Sequence, residues 1–230
     1  MARAGEEIYN PVQGDWIVFR ETARDTSGEL LSAELVVSPQ AAGPPAHVHP
    51  LQEERFGVLS GTIRARLDNH ERSLSEGERT TVAPGTPHTW WNDSEEDARV
   101  SLELRPALNS EIGFETIYGL ARDGKTDENG VPNLLQLAVI FSGVNKGELY
   151  LARPPIPAQK ALFAALAPVG RFLGYKDHYP KYSAAEAASA GGAAPPSTTS
   201  VMARGMALVV TLLVPSFLLF RWARRLISNG

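Results

Sequence analysis

The sequence predicts a mainly β fold, an antiparallel barrel or sandwich followed by helices. Three observations carry this. Apolar and polar residues alternate in short runs between residues 15 and 105, turn-forming residues fall between the runs, and the periodicity becomes helical after about Asn109. Residues 16–19 form a compact apolar run with two β-branched members, Ile17 and Val18, and residues 30–37 form a second. In residues 62–67, Ile63, Ala65 and Leu67 alternate with Arg64 and Arg66. In residues 100–105, Val100, Leu102 and Leu104 alternate with Ser101, Glu103 and Arg105. A period of two places one set of side chains inside and the other in water. Turns are expected at 25–28, 39–45, 68–69, 76–77, 84–85 and 92–93 from their Gly, Pro, Asn and Asp content.

Residues 111–121 and 133–141 carry apolar residues at helical spacing, with a loop between them. Residues 159–174 are a third helical segment, interrupted by Pro168 and Gly170. Residues 183–200 are almost wholly Ala, Gly, Ser, Thr and Pro and are read as a flexible linker. Residues 205–220 hold sixteen residues without a charge, followed by Arg221, Arg224 and Arg225. At ~1.5 Å per residue this helix is roughly 24 Å long, short of a ~30 Å hydrocarbon core unless its flanking arginines snorkel outward. The expected organisation is therefore a β-barrel over 1–108, a helical extension over 109–182, a linker over 183–200 and a transmembrane helix over 201–227. That makes the protein membrane-associated through a single C-terminal pass. The cues for its orientation conflict: the arginines that follow the helix favour a cytoplasmic C-terminus, yet the N-terminus has no apolar stretch of the kind that would export the barrel.

Composition narrows the chemistry. The formal net charge is −4 with no basic run, which argues against nucleic-acid binding. The chain has no cysteine, so disulfides, thiolate metal sites and cysteine nucleophiles are excluded. Histidines, carboxylates or a bound metal must carry any difficult step. Of five histidines, His47 and His49 stand two apart, the spacing that puts both on one face of a strand. Pro50 ends that strand, and a short turn leads to Glu54 at the start of a returning one. His88 follows the Pro84–Gly85 turn and opens a further strand. Three imidazoles and a carboxylate from neighbouring strands make a metal site. Glu53 is the alternative carboxylate. His70 and His178 are read as ordinary surface or core residues.

These two stretches resemble the two motifs of the cupin superfamily. His47, His49, Glu54 and Gly61 match the first; Gly77, Gly85, His88 and Asn92 match the second. Ala83 stands where the second motif has proline, with Pro84 beside it, and Ala41 stands where the first motif has glycine, with Gly43 nearby. The resemblance covers about residues 30–105. It implies a cupin-type double-stranded β-barrel, or jelly roll, with a metal held inside by His47, His49, Glu54 and His88.

Ligands of this type suit Fe, Mn, Ni, Cu, Co or Zn in the divalent state. In an octahedral ion four protein ligands leave two positions for substrate, water or dioxygen; in tetrahedral zinc they close the site. Three functions follow: a metal-dependent oxygenase acting on a small organic molecule, a small-molecule binding or sensing module tethered to a membrane through residues 205–220, and a structural metal barrel. Trp90 and Trp91 are expected to line a mouth or to pack, Arg64 and Arg66 to bind a carboxylate or face solvent, and Gln52 to contact a metal-bound water. The extension is expected to cover one mouth of the barrel or to form a homodimer contact.

Overall fold

The computed structural model describes residues 1–183, and the expectations for residues 184–227 lie outside them. Eleven strands and three helices follow in chain order: β1 Glu7–Asn10, β2 Asp15–Glu21, β3 Leu31–Val37, β4 His47–Val48, β5 Glu53–Ser60, β6 Thr62–Leu67, β7 His70–Ser75, β8 Arg79–Val82, β9 His88–Trp91, β10 Ala98–Arg105, α1 Ser110–Arg122, α2 Leu134–Ser142, β11 Tyr150–Leu151 and α3 Ile156–Phe172. The strands form two antiparallel sheets, ordered β1-β2-β3-β10-β5-β8 and β11-β4-β9-β6-β7. Among the described residues no helix is long and apolar enough to cross a membrane.

Alternation builds the core. In β10, Ala98, Val100, Leu102 and Leu104 are buried, while Arg99, Ser101, Glu103 and Arg105 point away from it. Ile17 and Phe19 from β2, Leu31 and Leu35 from β3 and Ile63 from β6 are almost wholly inaccessible and pack in the same cluster. Each such side chain contributes about 1.5–3 kcal/mol relative to exposure. Outside the barrel, Arg20 and Arg99 clamp the Glu34 carboxylate, which half-covers that face with charge.

Two glycines carry the turns of the first motif. Gly43 has φ +66°, and a Cβ there would sit 1.7 Å from the Trp90 carbonyl oxygen. It therefore does the work expected of the glycine replaced by Ala41. Gly61 has φ +75° and packs against the Asp97 carbonyl, where a Cβ would approach to 2.7 Å.

The third helix differs from expectation. α3 runs unbroken from Ile156 to Phe172 with Pro168 inside it. Gly170 does not break the helix but lets it approach α2: a Cβ there would meet Val139 at 2.6 Å and the Leu135 carbonyl at 2.9 Å. A second cluster, including Leu137, Ile140, Phe141 and Phe163, results. β11 pairs with β4, setting Leu151 opposite His47, so residues from beyond position 108 complete the second sheet.

Candidate metal centre

Topology brings the candidate ligands together from both sheets. β4 and β9 are neighbours and place His47 directly opposite His88. β5 belongs to the other sheet and delivers Glu54, which lies between Leu104 of β10 and Val82 of β8. The strand expected to carry both first-motif histidines ends at Val48, because Pro50 cannot continue a ladder. His49 thus sits in the turn, yet still joins the cluster. Its carbonyl accepts from the Gly85 amide at 2.9 Å, which fixes the first motif to the turn of the second. His47, His49, Glu54 and His88 are all buried, and one potential ligand atom from each lies within 4.8 Å of every other.

Hydrogen bonds decide which ring nitrogens face the centre. His47 Nδ1 lies 2.9 Å from the Pro45 carbonyl, and His88 Nδ1 lies 2.9 Å from that of Thr86. A carbonyl oxygen only accepts, so each Nδ1 carries the proton. His49 Nδ1 faces Gln52 Oε1 at 3.1 Å. The Gln52 amide orientation is set by three acceptors for its Nε2: the Pro106 and Ala107 carbonyls and Ser110 Oγ, at 2.9, 3.2 and 2.8 Å. All three Nε2 atoms are left to the centre. His88 Nε2 stands 2.6 Å from Glu54 Oε2 and His49 Nε2 stands 3.4 Å from the same oxygen. Lone pairs of neutral imidazoles against a carboxylate repel unless a proton or a cation lies between them. The donor set, its tautomers and its burial therefore fit a divalent metal held by His47, His49, Glu54 and His88, with Pro45, Gln52 and Thr86 orienting the rings.

Protonation follows the same geometry. Burial pushes His47 down to about 3, helped by the neighbouring His88 and His49 rings. Burial also lowers His49, against the attraction of Glu54. Burial raises Glu54, but its bond to His88 and the surrounding imidazoles outweigh this and hold it at about 2. Burial lowers His88, but its hydrogen bond to Glu54 and that carboxylate's charge win, so His88 is raised. Of the three rings, His88 is the one whose protonated form the site favours.

The remaining candidates fall elsewhere. Gln52 holds His49 rather than reaching a metal-bound water. Replacing it, Gln52→Met, should weaken metal binding by about 10–100-fold while the four ligands remain, as measured by competition with a chromophoric chelator. Glu53 points outward to Arg55, at 2.6 Å. Arg64 and Arg66 are on the outer face, paired with Glu71 and stacked over Trp91, so they do not enter the barrel. Trp90 is buried and Trp91 only half-buried, so the tandem tryptophans divide between the two faces of β9. Asn92 binds the carbonyls of Val37, Ser38 and Glu96 and so holds a loop. His70 is exposed, and exposed His178 pairs with Asp177.

The cluster opens into a cavity of about 190 Å³. His47, His49 and Glu54 line it together with Trp90, and α1 and α2 supply much of the remaining wall. Helical periodicity announced α1 and α2, but nothing in it announced Asp15, Tyr118, Asn145 and Glu148, which also line the cavity. These side chains come from segments far apart in sequence and share no motif.

Residues 33–104 match the family model described as Cupin domain. Among curated proteins, the probable oxidoreductase patJ of Penicillium expansum is 28% identical over 194 residues, covering 77% of this chain and 58% of its own length. The probable oxidoreductase virH of Hypocrea virens is 28% identical over 189 residues, covering 76% of this chain and 80% of its own. The chain spans under two thirds of the length of the patJ protein. Among solved structures, KdgF from Halomonas sp. is 18% identical, with 40% of this chain and 80% of that one covered and a TM-score of 0.36. The segment that matches the Cupin domain model, residues 33–104, contains all four members of the cluster of three histidines and one glutamate.

Proposed function

We propose that this protein is a metal-dependent oxidoreductase that acts on a small, largely apolar organic molecule. The observation that carries this reading is that the four-residue cluster does not close on itself but borders a cavity with mostly apolar walls. His47, His49, Glu54 and His88 would hold the ion, and a divalent metal with open positions supplies Lewis acidity and, when redox-active, electron transfer. The chain's own part is to fix the rings through Pro45, Gln52 and Thr86 and to bind substrate beside the cluster. Helices α1 and α2 of the extension supply much of the wall beside it. The oxidoreductase names of the curated relatives favour this reading over a sensing module or a structural barrel. Elemental analysis coupled to oxygen uptake tests it. A redox-active metal with uptake dependent on a phenolic or enediol substrate is expected. A closed zinc site with no uptake across such a panel would instead favour binding or scaffolding.

We also propose that residues 205–220 tether the protein to a membrane, on the strength of their uncharged, apolar composition. Full-length protein should pellet with membranes and a chain lacking residues 201–230 should not; full-length protein in the soluble fraction ends this idea.

A further inference from the structure

Two buried acceptors on residues of the cavity wall have no partner among the described residues. Asp15, at the start of β2, is 2% exposed; its Oδ2 accepts from the Tyr118 hydroxyl of α1, while Oδ1 has no hydrogen bond. The Asp15 backbone N–H also hydrogen-bonds its own carboxyl, and Oδ1 is the oxygen without a partner. Asn145, after α2, is 5% exposed. Its Nδ2 donates to the Asn109 carbonyl and to Glu148 Oε2, both at 3.3 Å, and its Oδ1 is left without a partner. Turning the amide over would set its oxygen against a carbonyl and a carboxylate, so this orientation is the stable one. An orphaned buried acceptor costs about 1–3 kcal/mol, and both of these border the same cavity as the metal cluster.

The rest of the wall narrows the ligand. Phe114, Ile117, Val131, Leu137, Ile140 and Phe141 are apolar, and among the described residues no lysine or arginine lines the cavity. Glu148 is occupied by Asn109 and Asn145. Apart from a metal held by the cluster, the wall thus offers acceptors and no side-chain cation to receive a carboxylate. Burial pushes the Asp15 carboxyl up to about 7, against the Tyr118 hydrogen bond; Oδ1 is an acceptor in the ionised form, so binding is measured above that pH.

We propose that Asp15 Oδ1 and Asn145 Oδ1 are a ligand-recognition pair that accepts hydrogen bonds from two hydroxyl groups of a neutral compound with an apolar ring or chain. This rests on the reading of the cavity as the substrate site. Both residues lie outside the segment that matches the family model, in the parts of the chain added before and after it.

The probe set is resorcinol, its monomethyl and dimethyl ethers, and 3-hydroxybenzoate. The 1,3-diol is chosen because adjacent hydroxyls would chelate the metal. Binding to the full-length protein is measured by calorimetry or ligand-observed NMR, with 3-hydroxybenzoate and resorcinol compared on chelator-treated protein, where no metal can take the carboxylate. Resorcinol should bind, each methylation should weaken binding by up to about tenfold, and 3-hydroxybenzoate should bind more weakly than resorcinol. Asp15→Asn turns an acceptor into a donor at Oδ1 or exchanges its partner at Tyr118, and should reduce the preference for resorcinol over the dimethyl ether by about tenfold. Asn145→Ser, which withdraws the second acceptor, is the independent variant should Asp15→Asn not fold. The inference is overturned if the dimethyl ether or the benzoate binds as tightly as resorcinol, if folded variants keep the wild-type preference, or if no probe binds. Metal content of the same samples separates the two readings. Diol preference in protein that takes up no metal refutes the metal reading alone, and loaded protein without the preference refutes this pair alone.

Discussion

Replacing His88 by alanine should empty the centre: from about one equivalent of first-row transition metal in the purified wild type to under a tenth in the variant. The apparent binding free energy of a four-ligand divalent site is about 10–16 kcal/mol near neutral pH, so one ligand in four is worth on the order of 3 kcal/mol, or roughly 10²-fold in affinity. Losing His88 costs more than one bond, because its Nε2 lies 2.6 Å from Glu54 Oε2 and helps to place that carboxylate. His47→Ala should act similarly, since His47 stands opposite His88 across β4 and β9. His70→Ala is the control; His70 lies on β7, exposed and outside the cluster. Elemental analysis of the three variants after identical purification checks this, with far-UV circular dichroism confirming that each is folded. Equal metal in wild type and His88→Ala would refute the assignment of His88.

Metal affinity should fall about tenfold for each pH unit below the raised pKa of His88, a window that includes pH 6.5 to 5.5. The sign follows from the ring states. His47, pushed down to about 3, and Glu54, held at about 2, have already lost their protons throughout that window. His88, stabilised as an imidazolium by Glu54, still holds one on the nitrogen the metal needs. Binding therefore releases about one proton below that pKa and progressively none above it. In the metal-free protein the same raised pKa makes a stabilising contribution that is complete below the ordinary histidine value and is lost as pH rises through the folded one. The depressed pKa of His47 acts oppositely: its stability contribution is lost as pH falls from the ordinary value toward about 3. Calorimetry in buffers of different ionisation enthalpy measures the proton release directly. A pH-independent affinity between 5.5 and 6.5 would contradict the ring states described here.

Much of the barrel was legible because strand periodicity is a local signal. Residues 62–67 and 100–105 announce β6 and β10 through strict alternation, and the burial of Ile63, Ala65, Val100, Leu102 and Leu104 follows from it. His47, Glu54 and His88 were legible as strand residues, and His49 joins the cluster from the turn after β4 rather than from a shared strand face. Three things were not. The strand before Pro50 stops at Val48 rather than His49, since pairing with β9 and β11 extends no further. Pro168 and Gly170 read as an interruption, yet α3 passes through them, since close packing on α2 offsets the lost backbone bond. Gln52 was read as a partner for bound water, whereas its amide is consumed by Pro106, Ala107 and Ser110 on one side and His49 on the other. The partnerless acceptor of Asp15 depends on its contact with Tyr118, 103 residues on, and that of Asn145 on its contact with Asn109, 36 residues back, which no local pattern encodes.

Anomalous diffraction from crystals of the purified protein, collected on either side of the absorption edge of the metal it carries, tests the central claim most directly. A single peak within bonding distance of His47, His49 and His88 Nε2 and a Glu54 carboxylate oxygen is the expected result. A metal-containing crystal whose peak lies elsewhere, with those four side chains bonded only to one another, would contradict it.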